Sequence, residues 1–273
     1  MSLLARFLLL KNKKPFSVPR LCLGSTTKTV IIMNNYMDNN GYSTAVQAEN
    51  ELTLRRYVAG VMRRVYGKMT LGLLVTALTS YLMLTIPALM DFLTLHPFLI
   101  IGAMVAELGL VFYLSARIER MSNATATIMF YLYSMLNGIT LTPLFLYYTS
   151  TSIALTFALT AGTFGAMTIF GYVTRQDLSK IGSFLFMALI GLIVCLVVNV
   201  LLLHSSMFDL IVSIVGVFIF VGLTAWDTQA IKRMAAEADP TMMNKVATWG
   251  ALTLYLDFIN LFIYLLRLFG NRD

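Results

Sequence analysis

From Met69 onward the chain alternates long apolar runs with short polar stretches. The runs are close to the ~20 residues that a helix needs to cross the hydrocarbon core of a bilayer. A first helix is predicted from about Met69 to Met90 and a second from about Pro97 to Arg117. The uncharged stretch Met121–Thr174 is long enough for two helices, and the polar segment Tyr147–Ser152 divides it into a third and a fourth. A fifth follows at about Ile181–Leu203, a sixth at Phe208–Ala230 and a seventh at Val246–Phe269. The pattern predicts an all-α polytopic membrane protein with seven transmembrane helices. Residues 57–273 form one membrane domain, and residues 1–56 a basic and polar N-terminal segment outside it.

Composition agrees. The chain is 58% hydrophobic and 12% charged, against about 25% charged residues in soluble domains. The net charge of +7 does not point to nucleic acid, because the basic residues are spread over alternate loops and form no stripe. Arg55, Arg56, Arg63, Arg64 and Lys68 precede the first helix. Arg117 and Arg120 lie between the second and third, Arg175 and Lys180 between the fourth and fifth, and Lys232, Arg233 and Lys245 between the sixth and seventh. The three intervening loops have no Lys or Arg. The positive-inside rule then puts the N-terminus in the cytoplasm. Seven spans leave Arg267 and Arg272 outside, against that rule; a seventh segment that re-entered the cytoplasmic side would remove the conflict. Cys22 and Cys195 predict neither a structural disulfide nor a metal site with His96 and His204.

Two carboxylates fall inside apolar runs: Asp227 in LTAWDTQAI and Asp257 in TLYLDFINLF. A carboxylate at a helix centre costs roughly 2.5–3.5 kcal/mol on insertion scales, so each must face protein, water or an ion. They belong to consecutive helices and are expected to meet at the cytoplasmic end of a central cavity. Two carboxylates sharing a site titrate as a pair and can hold one proton between them. Deprotonated, they offer hard oxygen ligands that suit Ca²⁺ better than a transition metal. The expected function is a pH-sensitive cation site, with Asp227 and Asp257 as transient Ca²⁺ ligands, no catalytic residue and no cofactor.

The seventh helix carries a polar stripe: Thr253, Asp257, Asn260, Tyr264 and Arg267. Spacings of four, three, four and three put it on one face. Glu107, in the second helix, is a further intramembrane acid and a candidate for the ion path. Arg117 is a candidate latch that neutralises the dyad, with Arg120 its competitor. Ala161/Gly165 and Gly162/Ala166 are small-xxx-small pairs that predict helix contact, and Pro143 in NGITLTP predicts a kink.

The runs NGITLTP, AGTFGAMTIFGYVTRQDLSKIGSFLFMALIGLI, VGLTAWDTQAIK and ALTLYLDFINLFIYLLRLFG, in that order, closely resemble the bacterial branch of the Bax inhibitor-1 (transmembrane Bax-inhibitor-motif) family over about Tyr57–Asn271. The resemblance implies a seven-helix bundle whose last helix is central. It also implies a pH-regulated Ca²⁺ leak in the bacterial inner membrane, with the family's two pH-sensing aspartates at Asp227 and Asp257. A helix-two arginine, nearest to Arg117, is implied as partner of the first aspartate in the closed state, and Glu107 matches the helix-two acid. The segment from Met1 to Met37, with six Lys/Arg and no acid, lies outside the resemblance. It reads as a transit peptide or, preferred here, as upstream sequence before a start at Met33 or Met37.

Two other readings compete. Intramembrane aspartyl proteases also place aspartates on two adjacent helices, but the second aspartate here sits in LYLD, without the GxGD motif, and no PAL motif follows. The alternative is a membrane interaction protein that binds a membrane-protein partner and regulates a protease or a stress or cell-death pathway. The partners expected on the main reading are the lipid bilayer, Ca²⁺ and protons.

Overall fold

The computed structural model describes residues 4–6, 42–96 and 98–271. The rest of the N-terminal segment, including Cys22 and both proposed start methionines, lies outside the described residues. The described elements are helical: α1 (Tyr42–Thr85), the short α2 (Pro87–Leu95), α3 (Phe98–Arg117), α4 (Asn123–Tyr147), α5 (Ser150–Val173), α6 (Ser179–Val198), α7 (Ser206–Glu237) and α8 (Met243–Phe269). A π-turn, Asn199–Leu203, continues α6, and a 3₁₀ turn, Pro240–Met242, precedes α8. Seven of the helices are long and apolar enough to cross a membrane, with α2 the exception. The chain is an all-α polytopic membrane protein.

Three boundaries differ from the sequence reading, each for a local reason. The first helix was expected to reach Met90 but stops at Thr85. Ile86 is extended because the residue before a proline is pushed out of the α region. At its other end α1 begins at Tyr42, within the polar N-terminal segment of residues 1–56 that was expected to lie outside the membrane domain. Arg55 pairs there with Glu51 one turn earlier, at 2.6 Å. Finally, the charged stretch between the sixth and seventh spans is mostly helix. IKRMAAE is built from good helix formers, so α7 runs on to Glu237 and only a short turn precedes α8.

Helix α8 is the axis of the bundle. Every residue from Val246 to Phe262 is buried, and the helix packs against α7, α1, α5 and α4. That explains its composition: a helix with apolar residues all round must be surrounded on all sides. The polar stripe is therefore one of several buried faces. The stripe looks toward α7, where Tyr264 stacks on Phe220 and lies against Gly216. Phe258 and Phe262 meet Phe157 of α5. Tyr255 meets α1 and α4.

The two ends of the bundle are chemically distinct. At the basic end Arg64 donates to Asn244 at 2.6 Å, Lys68 to Thr127 and Thr248, and Lys245 to the Glu119 carbonyl. At the other end the Thr149 amide donates to the Asn271 carbonyl, and Arg267 pairs with Asp209 at 3.2 Å. Helix α8 thus starts among the basic groups and ends at the opposite face, and it is long and apolar enough to cross a membrane. Asp209 thus offsets the charge of Arg267, one of the two arginines at odds with the positive-inside rule; Arg272 lies outside the described residues.

The small-residue pairs do not make the expected contact. A side chain added at Gly162 or Gly165 would meet nothing within 4 Å. A small-xxx-small pattern permits close approach but does not say which face a neighbour takes. Closest approach falls instead at Gly171 of α5, where a Cβ would enter the Ala225 backbone, and at Gly182 of α6, where it would enter the Trp226 ring. Both contacts hold α7 one or two residues from Asp227. Gly171→Ala is expected to destabilise the protein by about 1–3 kcal/mol, the usual cost of overpacking, because the opposing atoms are backbone. Gly162→Ala is expected to be neutral. Thermal unfolding of the two variants in detergent checks the contrast.

Candidate functional site

Asp227 of α7 and Asp257 of α8 are both fully buried, and both reach the same cation. That cation is the guanidinium of Arg6, whose side chain has no exposed surface. Its Nη2 pairs with Asp227 Oδ2 and donates to Asp257 Oδ2 at 3.2 Å, while Nε lies 2.6 Å from Asp257 Oδ1. The two aspartates meet as the sequence suggested, but deeper. Asp257 is about 21 Å along α8 from Met243 and about 18 Å from Phe269, at 1.5 Å per residue. The dyad lies near mid-depth of the central helix rather than at its cytoplasmic end.

In this structure the latch candidate Arg117 is exposed at the end of α3, and Arg120, just beyond that helix, is exposed too; among the described residues the guanidinium at the dyad is that of Arg6. Composition had set the N-terminal segment aside, yet a signal was present: an arginine inside the apolar run LLARFLLL is as costly in a bilayer as an aspartate and needs a partner.

Neighbouring stripe residues divide by task. Thr253 and Asn260 lie buried one turn either side of Asp257, and the Asn260 amide donates to the Leu256 carbonyl at 2.7 Å. On α7, Thr224 and Thr228 bond back to carbonyls of their own helix. These bonds satisfy hydroxyls that lipid could not. Tyr264 and Arg267 lie beyond the dyad, packed on α7 and paired with Asp209.

Glu107 is fully buried but belongs to a different cluster. Thr140 donates to its Oε1 at 2.7 Å and Asn137 to its Oε2 at 3.4 Å. Tyr255 donates to the Asn137 side-chain oxygen at 3.2 Å and shares a 2.6 Å hydrogen bond with Thr76. Tyr255 is two residues before Asp257, about 200° round the helix at ~100° per residue. The acid and the dyad therefore bracket the central helix from different faces. Sequence reasoning missed Asn137, Thr140 and Tyr255; Asn137 was visible inside NGITLTP only as part of a motif.

Outside the membrane, the loop before α6 is clasped to α7. Asp177 accepts from the Ser179 hydroxyl at 2.7 Å, from the Ser179 amide at 3.0 Å and from Arg233 at 2.9 Å. The Leu178 amide donates to Gln229, and Gln229 donates to the Gln176 carbonyl. The Ser179 hydroxyl, then Arg233, then the Ser179 amide hold the Asp177 carboxyl down to about 2. A depressed acid contributes stability above its ordinary value, here 3.8, and loses it as pH falls through the folded value. The clasp therefore stays closed through the neutral and mildly acidic range and cannot sense pH there. Asp177→Asn is expected to leave the pH dependence of any transport unchanged, as read by flux at stepped pH.

Residues 58–273 match the protein family described as Inhibitor of apoptosis-promoting Bax1. The chain belongs to the Bax inhibitor-1 family. It is 48% identical over 214 residues to the inner membrane protein YbhL of Escherichia coli K12, covering 77% of this chain and 91% of that protein. A Rickettsia prowazekii protein is 43% identical over 220 residues, 80% of this chain and 91% of its own length. A Caulobacter vibrioides protein is 35% identical over 258 residues, 88% of this chain and all of its own length. As a member of this family with seven membrane-spanning helices, the chain is an integral inner-membrane protein. The Bax inhibitor-1 match takes in both aspartates, Glu107 and all of α8, and stops short of Arg6.

Proposed function

We propose that the protein is a pH-sensitive Ca²⁺ leak of the inner membrane, in which Asp227 and Asp257 sense protons and bind the passing ion transiently. One observation carries the reading: two fully buried carboxylates from adjacent helices converge on the Arg6 guanidinium near mid-depth. Charge arithmetic supplies the mechanism. Two ionised carboxylates match one divalent cation. They also match one guanidinium plus one proton. The protonated site with its guanidinium is neutral and sealed. Loss of the proton leaves one uncompensated negative charge in a medium where that is costly, so repulsion loosens the pair and attracts Ca²⁺. Acid therefore closes the path and higher pH opens it.

Among the described residues no group of three or more His, Cys, Asp or Glu gathers to hold a metal ion. The dyad alone offers too few ligands for tight Ca²⁺ binding, since a resident Ca²⁺ takes six to eight oxygens. Weak, transient binding is what conduction requires. In this reading the N-terminus faces the cytoplasm, and the protein is a channel with no catalytic residue and no cofactor. The test is Ca²⁺ flux into dye-loaded proteoliposomes at stepped pH. A leak that rises with pH supports the reading. No flux at any pH, with folded protein, would turn the assignment toward a membrane interaction protein.

A further inference from the structure

We propose that the space between α7 and α8 is a guanidinium-binding site, and that Arg6 occupies it as a tethered competitor of the conducted cation. The inference rests on the leak reading for its functional consequence, but not for the site itself.

The geometry selects a guanidinium over an ammonium. Asp257 takes the Nε–Nη2 edge with both of its oxygens, and Asp227 takes Nη2. A planar fork against a carboxylate is the arrangement that arginine makes and lysine, a point charge, does not. The Arg6 side chain has no exposed surface, and both partners are equally buried. Exposure falls from 38% at Leu4 to zero at Ala5 and Arg6, so the guanidinium is enclosed together with its own backbone neighbour.

The position of Arg6 in the chain makes it a ligand rather than a lock. It stands 251 positions from Asp257 and lies outside the seven candidate spans. A latch borne on a spanning helix can leave its partner only by moving that helix. A guanidinium carried outside the spans can leave while the seven helices stay packed. A small guanidinium compound in solution should then take the vacated seat.

The test compares the parent, Arg6→Ala and the triple variant Arg6→Ala/Asp227→Asn/Asp257→Asn, with methylguanidinium at millimolar concentration as probe. A ligand that binds the folded state raises its unfolding temperature. Methylguanidinium is expected to stabilise Arg6→Ala and to leave the parent and the triple variant unchanged. Arg6→Lys, which keeps the charge without the fork, is expected to behave like Arg6→Ala. In proteoliposomes at one fixed neutral pH, Arg6→Ala is expected to raise the Ca²⁺ leak about tenfold or more, since a plug seated in nine molecules of ten leaves a tenth competent. Methylguanidinium should return the leak toward the parent level.

No stabilisation of Arg6→Ala, or equal stabilisation of the triple variant, would overturn the site. A leaking parent whose flux Arg6→Ala leaves unchanged would overturn the competitor role. Dyad-dependent stabilisation with no Ca²⁺ flux in any variant would support the guanidinium site and contradict the leak.

Discussion

Asp257→Asn and, separately, Asp227→Asn are expected to flatten the pH response of the Ca²⁺ leak. Among the described residues the parent site sets two carboxylates against one guanidinium, and on the proposed reading its charge alternates between zero and minus one as a single proton comes and goes. Either substitution fixes the site at one carboxylate and one guanidinium. That arrangement is neutral without a proton and stays sealed over the range in which the parent switches. A single-proton switch changes occupancy about tenfold per pH unit on one side of its midpoint. The parent leak should follow that slope, and the asparagine variants should vary by less than about twofold over the same interval. Asparagine keeps the size of the side chain, and a neutral residue removes a charge whose burial is costly. Loss of folding is therefore not expected to mask the result. Flux at stepped pH checks it.

Asn137→Leu is expected to produce the largest loss of stability among single substitutions in the polar interior. Asn137 joins two buried groups, donating to Glu107 and accepting from Tyr255. Leucine keeps the volume but removes both bonds. Each buried polar group left without its partner costs about 1–3 kcal/mol, so the loss should be about 2–6 kcal/mol. Glu107→Gln is the informative comparison. Its amide keeps a carbonyl oxygen to accept from Thr140 and is expected to cost under about 1 kcal/mol, within the range of one ordinary hydrogen bond. Unfolding of both variants in detergent reads the difference. Equal, small effects would mean that the cluster on the far side of α8 does not act as a connected unit.

Much of this architecture was legible in the sequence because bilayer physics is strict. Backbone groups in hydrocarbon must be satisfied within their own helix, so apolar runs of the right length become spans, and all seven were found. The same strictness marked Asp227 and Asp257, whose burial in apolar runs demanded a partner. Length and hydropathy did not show which faces meet. Gly162 and Gly165 look like contact residues, yet a Cβ added at either would meet open space, whereas Gly171 and Gly182 receive α7. Glu107 and Asp257 looked like parts of one path, yet they bracket α8 from different faces because Tyr255 and Asp257 are two residues apart on one helix. The cation at the dyad was missed for a different reason. Arg6 lies beyond the family match and inside a run too short to span, so it was set aside with its segment. The cost argument that found the aspartates applies equally to that arginine.

The most direct measurement of the central claim is Ca²⁺ entry into dye-loaded proteoliposomes at a mildly acidic and a mildly alkaline pH, comparing the parent with Asp227→Asn/Asp257→Asn. The parent leak is expected to rise from acid to alkali, and the flux of the double variant to stay the same at the two. A double variant that keeps the full pH response of the parent would contradict the dyad as sensor.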